Sequence, residues 1–509
     1  MALPNIRPQS DYLYERRGPW PQPQPSHPFG FAPGVVHIPK DEVRKWNWTI
    51  GIHYKITLLT YWPKAMWYAW KNRSLRAVTD HDFEMLMTHS SLSKFISDEL
   101  TPAGRATHPH NKKITFFSKF LGAEPQEEFW VSDFTLLEHC QSYPGIYTAP
   151  TISLFKGKLQ NGKRQAVAIY LPDNELMLTP DDGEAWELAK YFALQGGAVR
   201  ISSSAHANLH FPYDSINAIS KSALPKDSVL LRLLKPHLDL TLELNYSVLN
   251  SPNSPVVNNQ HMPYAAFPAP EEGLAGMFLY GYNGMEGNPS YPKYKFQIVP
   301  NTFHSDYGTF LMAYYNTILK FVHKIVEEIP AEEYVEIMVW ADYIKQWVPE
   351  FPSGEELFEL DNDGNAHFRM HKQSDEDEKI LLAKVVANLI WDLSVGHAAD
   401  HYDYSLIDIN KAPLRMRVPP PDRKNIPKLD RKKLIHWVDI FKHEFERKMF
   451  FAPRNVTLLM ETRYDFNKPT EERLRELNEY FLNDLQETEK ALPVYNYIPL
   501  HQISRSIQY

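Results

Sequence analysis

Apolar positions recur every three to four residues through most of the chain, the spacing of helices that bury one face. Residues 306–328, 331–346 and 377–401 carry it most strongly, followed by 431–450 and 470–488. A further long pattern, EAWELAKYFALQGGAVRISSSAHANLH, covers 184–210, with an interruption expected at Gly196-Gly197. Nearer the N-terminus a helix is expected from about Asp41, then helical stretches over 62–98 with a break around Thr79-Asp80. Only residues 147–171 depart clearly from this period. There TISLF and QAVAIYL flank a Gly-containing turn and predict a β-hairpin, a small strand patch in a helical chain. Residues 250–300, rich in Pro, Gly and Asn, predict long irregular connections, and residues 1–40 read as a Pro-rich arm, extended on the surface or disordered. The pattern therefore predicts a mainly α architecture: a single domain over 41–509 behind an N-terminal arm over 1–40.

Composition narrows the chemistry. The 509 residues carry a net charge of −8, which argues against nucleic acid as the main partner. A single cysteine, Cys140, excludes an intrachain disulfide, a CxxC redox pair and a cysteine-rich zinc site. The N-terminal stretch has no apolar core of a secretory signal, and no run of 18 uncharged apolar residues occurs. The expectation is a cytoplasmic monomer without a transmembrane segment.

The candidate chemistry lies among 21 histidines. His206/His210 and His397/His401 are each spaced i,i+4, which puts two imidazoles on one helix face within reach of one metal ion. Spacing alone is a weak signal, because chance gives about 0.9 such pairs in this composition. Context separates them. Val386, Ile390, Leu393, His397 and His401 fall on one stripe, so this pair continues a buried face and needs partners there. A third pair, His367/His371, sits among charged residues and reads as a solvent-exposed turn or hairpin. A zinc hydrolase is disfavoured, since no His-Glu-x-x-His occurs.

Several blocks in one order carry a family resemblance. They are FFSKFLGAEP, Ala149-Pro150, LTPDDGEAWELAK, Leu233-Leu234-Lys235-Pro236-His237, IWDLSVGHAADHYDY and NKAPLRMR over 410–417. From about residue 115 to the C-terminus the chain resembles a lipoxygenase catalytic domain, without the N-terminal β-barrel of many members. The resemblance implies His206 and His210 on a first metal helix, with His210 lying 27 positions before His237. The His-x3-His spacing is similar to that of fungal manganese lipoxygenases and needs no distorted helix. It further implies His397 and His401 on the second metal helix, and the carboxylate of Tyr509 as the last ligand. Ile503 and Ile507 would then anchor a buried tail. Imidazole with carboxylate suits Fe, with Mn as the alternative. The implied activity is hydrogen abstraction from a polyunsaturated fatty acid followed by O2 addition. Substrate-pocket positions of the family fall on Val248 and Tyr404. The alternatives are the same fold oxidising a different small molecule of specialised metabolism, or a non-catalytic binding protein.

Overall fold

The computed structural model describes residues 13–15, 34–107, 113–123, 127–157, 164–291, 296, 306–369, 379–406, 408–424, 426, 428–451, 456–492 and 498–508. Within the expected arm, β1 (Leu13–Glu15) pairs antiparallel with β2 (Gly34–His37). The rest of residues 1–33 lies outside the described residues.

Helices follow: α1 (Lys40–Trp46), a π-helical stretch Asn47–Gly51, α2 (Ile52–Thr60), α3 (Trp62–Lys71) and α4 (Asp80–His89). The break before α4 is set by a capping box. Thr79 Oγ1 accepts from the Asp82 N–H at 3.0 Å, and the Asp82 carboxylate accepts from the Thr79 N–H at 3.2 Å.

The expected hairpin is present, but it forms the centre of a larger sheet. β3 (Ile96–Ser97), β4 (Phe129–Asp133), β5 (Ile152–Lys156), β6 (Gln165–Leu171) and β7 (Leu176–Leu178) lie side by side in that order, each pair antiparallel. Ile152 opposes Tyr170 and Lys156 opposes Gln165. The side chains alternate between two cores. Phe129, Val131, Ile152, Leu154, Ala168 and Tyr170 pack with Leu100, Phe117 and Leu121. Trp130, Phe155, Ile169 and Leu171 face the main helical core. β4 is buried along its whole length and so lacks the polar alternation that would have announced it.

Then comes the helical body. α5 (Glu184–Arg200) runs straight through Gly196 and Gly197, contrary to the expected interruption. These glycines serve close approach: a Cβ at Gly196 would sit 2.7 Å from Phe134 and one at Gly197 2.8 Å from Leu92. The irregularity falls one turn later, in a π-helical stretch Ile201–Ala205, after which α6 (Ala207–Ala223) continues well past the expected end. Next come α7 (Val229–Leu234), α8 (Thr241–Asn245) and α9 (Glu271–Asn283). The last corrects the expectation of irregular chain throughout 250–300. α10 (Asp306–Glu327) and α11 (Tyr334–Trp347) lead to the hairpin of β8 (Phe358–Leu360) and β9 (Ala366–Phe368).

The central helix α12 (Ile380–Trp391) is buried nearly all round. It passes through a second π stretch, Asp392–Gly396, into α13 (His397–Leu406). Among the described residues Ile380–Tyr402 is the one helical run long and apolar enough to cross a membrane, and 78 % of its apolar window is buried inside the protein, as in a core helix. α14 (Trp437–Phe450) and α15 (Glu472–Ala491) complete the body.

The last residues return to the centre. Leu458 and Ser504 form an antiparallel bridge, and the Arg505 N–H donates to the Thr457 carbonyl at 2.9 Å. Ile503 and Ile507 are fully buried, as expected of anchors. His237, from the Leu-Leu-Lys-Pro-His block, grips this tail. Its Nδ1 lies 2.7 Å from the Arg505 carbonyl oxygen and its Nε2 2.8 Å from the Tyr464 hydroxyl. A carbonyl only accepts, so Nδ1 carries the proton and Nε2 accepts from Tyr464. Burial holds this imidazole neutral, with a pKa lowered to about 3.

Candidate metal centre

Both predicted histidine pairs begin where a π stretch ends. The His206 N–H donates to the Ile201 carbonyl, five residues back, at 3.0 Å, and His397 opens α13 directly after Asp392–Gly396. The expectation of an undistorted helix is therefore corrected: the pairs span ordinary α spacing, but each follows a local widening. The serines explain it locally. Ser203 Oγ donates to the Val199 carbonyl at 2.6 Å and Ser394 Oγ to the Ile390 carbonyl at 2.5 Å, so side chains compete for the carbonyls of the helix ladder. A buried contact ties the two helices at this level, since the Tyr213 hydroxyl on α6 donates to Asp392.

All four imidazoles converge. One nitrogen from each of His206, His210, His397 and His401 falls in a set spanning no more than 4.8 Å. His206 Nε2 lies 2.8 Å from His210 Nε2 and 3.1 Å from His401 Nε2. A single ring nitrogen offers one proton or one lone pair, so it cannot satisfy both neighbours by hydrogen bonding. A cation at the centre satisfies every lone pair at once. Burial, reinforced by the neighbouring imidazoles, pushes the His210 pKa to about 3 and those of His397 and His401 well below the usual value. These rings are thus neutral, the form that ligates.

Groups behind the rings orient them. The Asn245 side-chain oxygen lies 2.5 Å from His210 Nδ1, which places the proton on Nδ1 and turns the Nε2 lone pair to the cluster. Asn245 in turn donates to Asp214, whose buried carboxyl is raised to about 7. On the other side, Asp400 Oδ2 faces His206 Nδ1 at 3.6 Å and pairs with Lys94. Burial alone would raise the Asp400 carboxyl, but the Lys94 ammonium holds it below the usual range. Asp400→Asn, which removes the charge behind His206, is expected to weaken metal affinity by roughly 10- to 100-fold. Chelator competition on the purified protein measures this, and unchanged affinity would remove Asp400 from the site. Sequence reasoning missed Asn245 and Asp400. Asp400 stands in HAADH between two candidate ligands, and that position was its one available signal.

A cavity of about 70 Å³ opens against His206, His210 and His401. Apart from the histidines, its walls are mainly apolar, from Leu244, Val248, Val256, Phe267, Phe450 and neighbours, with Ser202 and Glu446 as polar members. Val248 stands on this wall. Tyr404 stands behind it: fully buried, it donates from its hydroxyl to Glu446 Oε2 at 2.5 Å and packs its ring 4.1 Å from Phe451. Tyr509 lies outside the described residues, which end at Gln508. His367 is exposed on the β8–β9 hairpin, 3.2 Å from Asp361, in keeping with the solvent-exposed reading, and His371 lies outside the described residues.

No family model matches the chain, and no curated protein sequence matches it. Solved structures do match. The coral 8R-lipoxygenase superposes with a TM-score of 0.66 at 14% identity, over 99% of this chain and 80% of that one. The manganese lipoxygenase of Gaeumannomyces graminis gives 0.64 at 12% identity, over 98% of this chain and 96% of its own. The chain has the lipoxygenase fold. A calcium-dependent 11R-lipoxygenase adds a TM-score of 0.69 at 15% identity, over 99% and 79% of the two chains. Within this lipoxygenase fold the four-histidine cluster fits a bound metal ion, by the convergence of four ring nitrogens within 4.8 Å of one another.

Proposed function

We propose that this chain is a non-haem metal-dependent dioxygenase that inserts O2 into a polyunsaturated fatty acid. The observation that carries the reading is a cluster of four imidazoles, three of them buried and His206 half-buried, opening onto a mainly apolar cavity. His206, His210, His397 and His401 would hold the ion, with the terminal carboxylate of Tyr509 completing the set. Fe is the first choice and Mn the alternative, since imidazole and carboxylate suit both. The chemistry such an ion supplies when bound is one-electron oxidation of a weak C–H bond ahead of O2 addition.

The residues of the chain do the rest. Asn245 and Asp400 set the ring orientations, while Leu244, Val248, Val256 and Phe450 exclude water and hold an apolar chain against the cluster. Oxygen-electrode traces of the metallated protein with linoleate and related acids test the reading. O2 uptake with formation of a conjugated product supports it. No uptake with any polyunsaturated acid overturns it.

One observation favours a second reading, the same fold and metal acting on a different oxidisable small molecule. Glu446 puts a carboxyl on the wall of a narrow cavity, backed by Tyr404, and burial raises it to about 7. A hydrocarbon diene gains nothing from that group, whereas a substrate bearing a hydroxyl or amine gains a hydrogen bond. A panel of hydroxylated aromatic and terpenoid compounds in the same electrode separates the two readings.

Val248 governs the width of the cavity under either reading. Val248→Ala is expected to shift the product distribution or widen the accepted substrates, at a stability cost of about 1 kcal/mol or less for this half-buried side chain. Product analysis by chromatography beside a thermal melt checks both parts. Identical product ratios across several substrates would place Val248 outside the substrate path.

A further inference from the structure

Residues 43–79 contain seven lysines and arginines and no aspartate or glutamate, in a chain whose net charge is −8. The same segment carries the densest exposed apolar surface among the described residues. Leu59 is 79% exposed, Trp48 71%, Trp70 62% and Trp67 57%, with Ile56 and Met66 beside them. α3 is turned inside out relative to an ordinary surface helix. Its inward stripe is Tyr61, Ala65 and Ala69, all buried, while its outward stripe at i, i+4, i+8 is Trp62, Met66 and Trp70. Within α3 the inward positions Ala65 and Ala69 are small, with the bulky Tyr61 buried just before the helix as its N-cap, while the outward positions carry bulky side chains.

The cations are arranged among the rings. Lys71 Nζ lies 5.0 Å from the Trp67 ring and the Arg73 guanidinium 5.2 Å from the Trp70 ring. Lys55, Lys64, Lys71 and Arg73 make no ion pair among the described residues. The patch continues across a groove to Trp437 and Lys432. Exposed apolar patches of this kind mark a binding surface. Tryptophans interleaved with unpaired cations, on short helices lying along the surface, match the chemistry of a phospholipid interface, where indoles sit at headgroup level and cations meet anionic lipid. A protein partner would need a matching acidic face. An anionic bilayer supplies that charge without shape complementarity.

We propose that the α2–α3 face, with Trp48 near the start of the preceding π stretch, docks this protein on an anionic membrane surface. The placement suits a lipid-derived or membrane-dissolved substrate. α14 carries Glu446 and Phe450 of the cavity wall, and its Phe441 and Phe445 pack at 5.3 and 5.5 Å against Trp62, while Phe450 itself meets Tyr54 of α2 at 5.2 Å. The docking face and the cavity thus share one helix. The proposal stands independently of the metal and of the substrate.

Sedimentation with vesicles of phosphatidylcholine alone, or of phosphatidylcholine mixed with phosphatidylserine, tests it on the full chain. The expected result is binding to the anionic vesicles, loss of that binding as salt is raised, and a blue shift of tryptophan emission on binding. The variant Trp67→Ser/Trp70→Ser/Lys64→Glu/Lys71→Glu alters exposed residues only. It is expected to bind at least about tenfold more weakly, with unchanged circular dichroism and metal content. Three outcomes overturn the proposal: no binding to anionic vesicles at low salt, equal binding by the variant, or a wild-type dimer that the variant converts to monomer. The last would assign the face to a second copy of the chain.

Discussion

His397→Ala yields a folded protein that purifies without metal. His397 is fully buried, opens α13 directly after a π stretch, and its ring centroid lies 4.2 Å from that of His401 and 5.0 Å from that of His206. Replacing it removes one neutral imidazole from the set and leaves an apolar gap, so the site loses one of the two donors that the second helix supplies. Cavity formation at a buried site also costs stability, on the order of 2–4 kcal/mol. The control is therefore His397→Gln, which fills more of the space without an imidazole. Metal analysis of both variants, with circular dichroism for the fold, checks the expectation. A fully metallated His397→Ala protein would remove His397 from the centre.

The second large effect concerns the tail. Adding one glycine after Tyr509 is expected to abolish or sharply reduce metal binding. The tail has little freedom to adjust. Ile503 and Ile507 are buried, His237 holds the Arg505 carbonyl, Ser506 Oγ donates to the Asp239 carbonyl at 2.9 Å, and the Gln508 side-chain oxygen accepts from the Thr457 N–H at 3.2 Å. Residues 235–238, which carry His237, pack against the π stretch that precedes His397. An extra residue moves a terminal carboxylate by up to about 3.8 Å, whereas a metal–oxygen bond tolerates about 0.2 Å. It also turns the proposed ligand at Tyr509 into a neutral amide. Metal content and turnover of the extended and native chains make the comparison. Equal values would exclude Tyr509 from the ligand set and leave a centre of four imidazoles.

Much of this arrangement was readable from the chain because burial and periodicity agree. The stripe through Val386, Ile390, Leu393, His397 and His401 is a buried stripe in the structure, and the four histidines it and its partner helix supply do converge. The β5–β6 hairpin was visible for the same reason, as two β-rich runs around a turn. What escaped was structure whose local chemistry points elsewhere. Glycine at 196–197 signalled a helix break but serves close packing, while the real widening at Ile201–Ala205 comes from serines bonding back to carbonyls. α9 hides behind Pro270 and Gly273. That glycine is there because a Cβ would meet the Gln141 carbonyl oxygen at 2.3 Å, yet in sequence it reads as loop. β4, Phe-Trp-Val-Ser-Asp, is short and groups its apolar residues together without alternation, so it could not be distinguished from a helical turn. Glu446 comes from a helix whose periodicity gives no hint that a carboxylate points inward.

The central claim is that His206, His210, His397 and His401 form one redox-active metal site. Elemental analysis of the purified chain, joined to an EPR spectrum of the same sample, tests it most directly. The account predicts one equivalent of iron or manganese per chain, with a signal that changes on chemical oxidation and reduction. A metal-free protein, or one holding zinc alone with no redox-sensitive signal after reconstitution with either ion, would contradict it.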